Sequence, residues 1–163
     1  MIGFLRKTLF AGFAFALSAT TAIADEILMP FVLSGTSGGD VNTVAGEVKS
    51  KLTAGGFEVV GEYSPYKDAH VIIVTNDTLK QAASKSDFGA YGAAQRVSVT
   101  RNGDQTEIVY TNPIYMAAAY RMATDLASTR AALEGSLGAE KDFGSEKNLT
   151  AKDLNKYHYT VMM

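Results

Sequence analysis

The stretch QRVSVTRNGDQTEIVYTNP, residues 95–113, decides the fold. Val97 and Val99 alternate with Arg96, Ser98 and Thr100, and Ile108 and Tyr110 flank Val109, the period-two signature of strands with one buried face. Between the two runs stands Asn102-Gly103. Both residues tolerate positive φ, so the pair predicts a tight hairpin joining Gln95–Arg101 to Gln105–Thr111. Asn112-Pro113 then reads as a helix start. The amide side chain caps the first turn, and proline occupies a position whose N–H would lack a partner anyway. From there Tyr115, Ala119, Met122, Leu126, Leu133 and Leu137 form one stripe of a long helix that Gly138 ends, with Arg121, Asp125, Arg130 and Glu134 on its solvated side.

Working outward, Ile27–Leu33 is apolar enough for a first strand, and Ser34–Gly39 reads as a flexible loop. Asp40 caps a helix carrying Val41, Val44, Ala45, Val48 and Leu52, which Gly55-Gly56 stops. Phe57–Tyr63 is a strand broken by Ser64-Pro65, and Ala69–Thr75 a more buried one. Asn76 or Asp77 opens a short helix with Leu79, Ala82 and Ala83, and Ser86–Ala94 is a Gly/Ala-rich loop. Thr150 with Asp153 forms a partial capping box for another short helix. Tyr157–Met163 closes the chain as a strand. Hairpins mixed with helices in this order imply a single α+β domain, a largely antiparallel sheet with helices packed on one face.

The succession GGFEVV at 55–60, HVIIVTND at 70–77 and RVSVT at 96–100, followed by Asn112-Pro113, resembles a widespread uncharacterised bacterial α+β domain family. The likeness spans roughly residues 40–137 and implies the order helix, Gly-Phe strand, Asn-containing turn, short helix, hairpin and Pro-capped helix. Members often carry a cysteine near the Asn turn and another before the hairpin. Thr75 and Ala94 stand there in this chain, so thiol chemistry does not carry over. The family brings no established activity.

Residues 1–24 form a leader: Arg6 and Lys7, an apolar core over Leu9–Leu17, and the small-x-small box Ala22-Ile23-Ala24 before Asp25. This is the pattern of a secretory signal peptide cleaved after Ala24, and it predicts a bacterial periplasmic or secreted domain over residues 25–163. No apolar run is long enough for a membrane span. The leader takes two of the 15 basic residues and none of the 17 acidic ones, so the balance moves from −2 to −4. That argues against nucleic acid. With no cysteine, disulfides, a lipid anchor and thiolate-bound metals are excluded.

The chemistry-bearing residues are sparse. Arg96, Tyr110, Asn112, Tyr115, Tyr120 and Arg121 fall within 26 residues around the hairpin exit and helix start, and His158 joins them if the last strand pairs nearby. Arginine offers a fork to carboxylates, and tyrosines give apolar walls with a polar tip. These residues suit a small acidic or aromatic ligand. A second arrangement uses His158, Met116, Met162 and Met163 as soft ligands for copper, although no Met-x-Met or His-x-His pair pre-forms a site. A third makes His158 the base of a small hydrolase, without a Gly-x-Ser-x-Gly elbow. The Gly loop at 35–39 lacks the lysine of a phosphate-binding loop. The expectation is an exported, non-enzymatic binding or accessory domain with no cofactor. Its partner would be a small molecule or another protein, and an edge strand leaves room for a homodimer.

Overall fold

A computed structural model describes residues 26–87 and 89–157. The leader and residues His158–Met163, where the last strand was expected, lie outside this range. The described chain is one α+β domain built on a six-stranded antiparallel sheet. In chain order the elements are β1 (Phe31–Ser37), α1 (Val41–Ala54), β2 (Glu58–Tyr66), β3 (Ala69–Thr75), α2 (Asp77–Ser84), β4 (Gln95–Asn102), β5 (Gln105–Thr111), α3 (Pro113–Ala119), α4 (Ala127–Leu137), β6 (Lys141–Phe143) and α5 (Ala151–Lys156). The strand order is β2-β3-β4-β5-β1-β6.

The register sorts the sheet into two faces. Ile72 pairs with Val97, Val97 with Tyr110, and Tyr110 with Val32, and all four are fully buried. Their side chains meet Val44, Val48 and Leu52 of α1, Leu79 of α2, Ala117 of α3 and Leu133 of α4 in one core. The helical stripe read in α1 is thus its buried face, and Asp40 caps the helix by accepting from the N–H groups of Asn42 and Thr43.

Several boundaries differ from expectation, each for a local reason. β1 begins at Phe31 and runs through the expected loop to Ser37, with an irregularity between Leu33 and Gly35. Pairing with β5, of Gly35 with Ile108, Thr36 with Glu107 and Ser37 with Thr106, holds this serine- and glycine-rich segment extended. β2 passes through Ser64-Pro65 because it is an edge strand, where a missing N–H costs no ladder bond. The hairpin turn sits one residue later than expected. Asn102 pairs with Gln105, and Gly103 takes the positive φ of 58°. The expected loop at 86–94 contains a 3-10 turn over Gly89–Gly92, β6 is an additional strand, and the Thr150–Asp153 capping box is complete in both directions.

The largest departure is the long helix, which is two helices. α3 ends at Ala119, with Tyr120 as its cap and Arg121 in the left-handed region at φ 53°. The N–H of Met122 bonds the carbonyl of Ala117, and that of Arg121 the carbonyl of Ala118. This is a Schellman closure with arginine where glycine is usual. α1 closes in the same way through Gly56, where Phe57 bonds back to Leu52. The two breaks also share their packing, since Phe57 is buried in the core and Met122 packs against it.

α4 is pinned by Arg130, expected to be solvated but only 14% exposed. Its Nη1 and Nη2 donate to the two carboxylate oxygens of Asp142 at 3.0 and 2.9 Å, and Nε donates to Glu134 at 2.6 Å. The guanidinium lies 5.9 Å from the centroid of the Tyr110 ring, and the Tyr110 hydroxyl donates to the carbonyl of Gly138 at 3.2 Å. Burial lowers the Arg130 pKa, but the two carboxylates outweigh it and the net shift is upward.

Two predictions arise here. Arg121→Gly and Arg121→Ala both lose the guanidinium, but only alanine keeps the cost of a left-handed backbone. The glycine variant is therefore more stable by about 1 kcal/mol in urea denaturation, and equal stabilities would contradict the closure described. Burial pushes the Tyr110 hydroxyl from 10.0 up to about 12. A raised folded pKa gives stability that is complete below the unfolded value and lost as pH rises through the folded one. Stability consequently falls between pH 10 and about 12, and Tyr110→Phe reduces this alkaline slope in denaturation followed across that window.

Candidate functional site

The split of the long helix opens a cavity of about 940 Å³ beside the α3 closure, lined by Tyr115, Tyr120, Arg121 and Ala123, by Lys85, Ser86, Asp87 and Tyr91, and by Ser145, Lys147, Leu149, Leu154 and Tyr157. A pocket of this size takes a small organic molecule. Its floor belongs to a second apolar cluster, in which buried Leu28, Ala118 and Leu154 pack with Ile114, Tyr115 and Leu149. The rings of Tyr91 and Tyr120 stack at 5.9 Å between centroids, with 29° between planes, and Tyr91 is 69% exposed. Among the described residues, Lys85, Lys147 and Arg121 bring three cations to the lining against the single carboxylate of Asp87.

Arg121 is the hinge of this site. Its Nε donates to the carbonyl of Asn155 at 2.9 Å and its Nη2 to that of Tyr157 at 3.1 Å. A cation at the end of α5 complements the negative end of that helix. The same contacts hold α5 across the cavity from the start of the α3–α4 connection. On its other side, the N–H of Ala123 donates to Ser86 Oγ at 2.8 Å. The first half of the connection is therefore tied on two sides, at Arg121 and at Ala123, and Tyr120 projects from fixed backbone.

The expected Arg/Tyr cluster is divided by the structure. Tyr115, Tyr120 and Arg121 meet in the cavity wall, with Tyr157. Arg96, Tyr110 and Asn112 are not among its lining residues. Arg96 is exposed on the helix-free face of the sheet, and Tyr110 is buried beneath Arg130. Asn112 is 2% exposed and does structural work: Oδ1 accepts from the N–H of Ile114 at 3.1 Å, and Nδ2 donates to the carbonyl of Met29 at 2.9 Å. Lys85, Asp87, Tyr91 and Lys147 were not singled out from sequence. Lys85, Asp87 and Tyr91 come from the connection between α2 and β4, and Lys147 from that between β6 and α5; nothing in the sequence marks these two connections as neighbours.

Of the copper set, Met116 is half-buried on α3, whereas His158, Met162 and Met163 lie outside the described residues. Among the described residues no group of three or more histidines, aspartates or glutamates is placed to hold a metal. His70, on β3, has both ring nitrogens occupied. Nδ1 lies 3.0 Å from Ser64 Oγ, and Nε2 3.1 Å from Glu62 Oε2. That oxygen also accepts from Lys49 Nζ at 2.8 Å, which with His70 holds the Glu62 carboxyl below its usual range. This relay stands apart from the cavity, whose lining includes no residue of β2 or β3.

No family model matches the sequence, and no curated protein matches it. Among solved structures, the crystal structure of an uncharacterized conserved protein, DUF302, from Bacillus stearothermophilus has a similar fold, with a TM-score of 0.59 at 14% sequence identity over 67% of this chain and 96% of that one. At that identity the likeness speaks for the fold alone, and it agrees with the α+β family resemblance read from residues 40–137.

Proposed function

We propose that the protein is an exported binding protein, and that the cavity beside Arg121 takes a small organic anion with a flat apolar body. The observation that carries this reading is the lining itself. Among the described residues, four tyrosines, three cations and one carboxylate surround about 940 Å³. Tyrosine faces favour planar apolar groups, and an excess of cations in a partly desolvated cleft favours negative charge. Among the described residues the lining offers ring faces and an excess of positive charge, and the reading is of binding. Export rests on the leader, with its cations, apolar core and Ala-Ile-Ala box.

The test uses two matched probes, 4-hydroxybenzoate and its neutral amide, titrated into the purified protein by calorimetry. The carboxylate is expected to bind and the amide to bind more weakly. Tyr91→Ala, at an exposed position, lowers affinity roughly fivefold through the lost ring contact. Lys85→Gln with Lys147→Gln lowers it several-fold and flattens its dependence on salt. Equal binding of the two probes, or no response to these variants, refutes an anion-selective cleft. The address is checked separately. Protein recovered from the periplasm or medium is expected to begin at Asp25, and an intact Met1 terminus retained inside the cell would overturn export.

A further inference from the structure

The helix-free face of the sheet has its own order. One row crosses all six strands through paired positions: Tyr63 with Val71, Val71 with Ser98, Ser98 with Val109, Val109 with Leu33, and Leu33 with the exposed Lys141 on the edge strand β6. Leu33, Val71 and Val109 are partly exposed and belong to neither core cluster, and Tyr63 is 51% exposed. The neighbouring row on one side contains Ile73 paired with Arg96, and Phe31 paired with Phe143. The neighbouring row on the other side contains Thr100 paired with Glu107, and Glu107 with Thr36. An apolar stripe is thus flanked by a cation on one side and an anion on the other.

We infer that this face is the interface of a homodimer, two copies packing sheet against sheet. The occupant is argued from charge. A two-fold axis lying in the interface along the Tyr63–Val71–Ser98–Val109–Leu33 row leaves that stripe facing its own copy, with the exposed Lys141 at its solvated rim, and exchanges the two flanking rows. Arg96 then stands over the row of the partner's Glu107, and Glu107 over that of the partner's Arg96. The two residues lie on adjacent strands, β4 and β5, an offset of about 4.8 Å that an arginine side chain spans. Self-complementarity of this kind is what an isologous interface demands. Aligned sheets pack about 10 Å apart with interdigitating side chains, and the small side chain of Ser98 at the middle of the stripe permits that approach.

Sedimentation equilibrium of the purified protein tests the inference, with circular dichroism verifying the fold of each variant. The wild type is expected to be a dimer. Val109→Glu places a carboxylate in the stripe and yields a monomer. Arg96→Glu and Glu107→Arg each set like charges together twice per dimer and weaken association by roughly tenfold or more, while the double swap returns the wild-type affinity. A monomeric wild type at its highest soluble concentration overturns the inference. So does a dimer indifferent to Val109→Glu, and so does a double swap that leaves the single defects unrepaired. Because the charge variants sit at partly or fully exposed positions, they keep the test decisive should Val109→Glu not fold.

Discussion

The contact on which the architecture turns is the one between Arg130 and Asp142. A bidentate pair at 2.9 and 3.0 Å, with the guanidinium over the ring of Tyr110, joins three elements: β5, α4 and β6. Charge-assisted forks of this kind are stronger than neutral hydrogen bonds and more demanding in geometry. Here they fix both the height and the rotation of α4 over the sheet. Tyr110 adds a second constraint through its bond to Gly138, at the end of the same helix. With α4 held over β5 and β1, and α3 started at Asn112, the two helices cannot be collinear. The backbone bends through left-handed residues at both Arg121 and Leu126.

That bend is the origin of the cavity. A continuous helix from Pro113 to Leu137 would carry Tyr120 and Arg121 along its own surface. Broken at Ala119, it turns them toward the Ser86–Gly92 segment and α5. The backbone strain at Arg121 is offset by its bonds to Asn155 and Tyr157 and by the core contact of Met122. Strained positions persist where the surroundings over-determine them, and they cluster where function needs fixed geometry. At Arg121 the same side chain that secures the bend also supplies positive charge to the cleft.

The parts legible in the sequence were those governed by local chemistry. The caps Asp40, Asn112 and Thr150, the choice of Asn76 or Asp77 before α2, the alternation in β4 and β5, and the α1 stripe were read from residue type and spacing, and the glycine pair at 55–56 announced the closure of α1. The matching closure of α3 had no such sign, because its left-handed residue is an arginine held by tertiary bonds. Arg130 likewise reads as a solvated helix position, since its partner Asp142 lies on a three-residue strand too short to signal itself. The extension of β2 through Pro65 depended on its being at the sheet edge, a property of topology and not of the segment.

The division of the Arg/Tyr cluster follows from strand parity. Arg96 and Val97 point to opposite faces, and Val97 pairs with Tyr110, so Arg96 and Tyr110 are on opposite sides of the sheet. The expected turn at Asn102-Gly103 would have paired Val97 with Ile108 instead. Moving a two-residue turn by one position shifts the pairing by two, which leaves every side chain on its original face. Opposite faces for Arg96 and Tyr110 were therefore implied by the alternation alone. The consequence is a separation of tasks: Tyr110 anchors α4 within the core, Tyr115 and Arg121 belong to the cleft, and Arg96 is left on the helix-free face opposite the row of Glu107. A change on that face alters no residue of the cavity lining, so association and ligand binding can be varied one without the other.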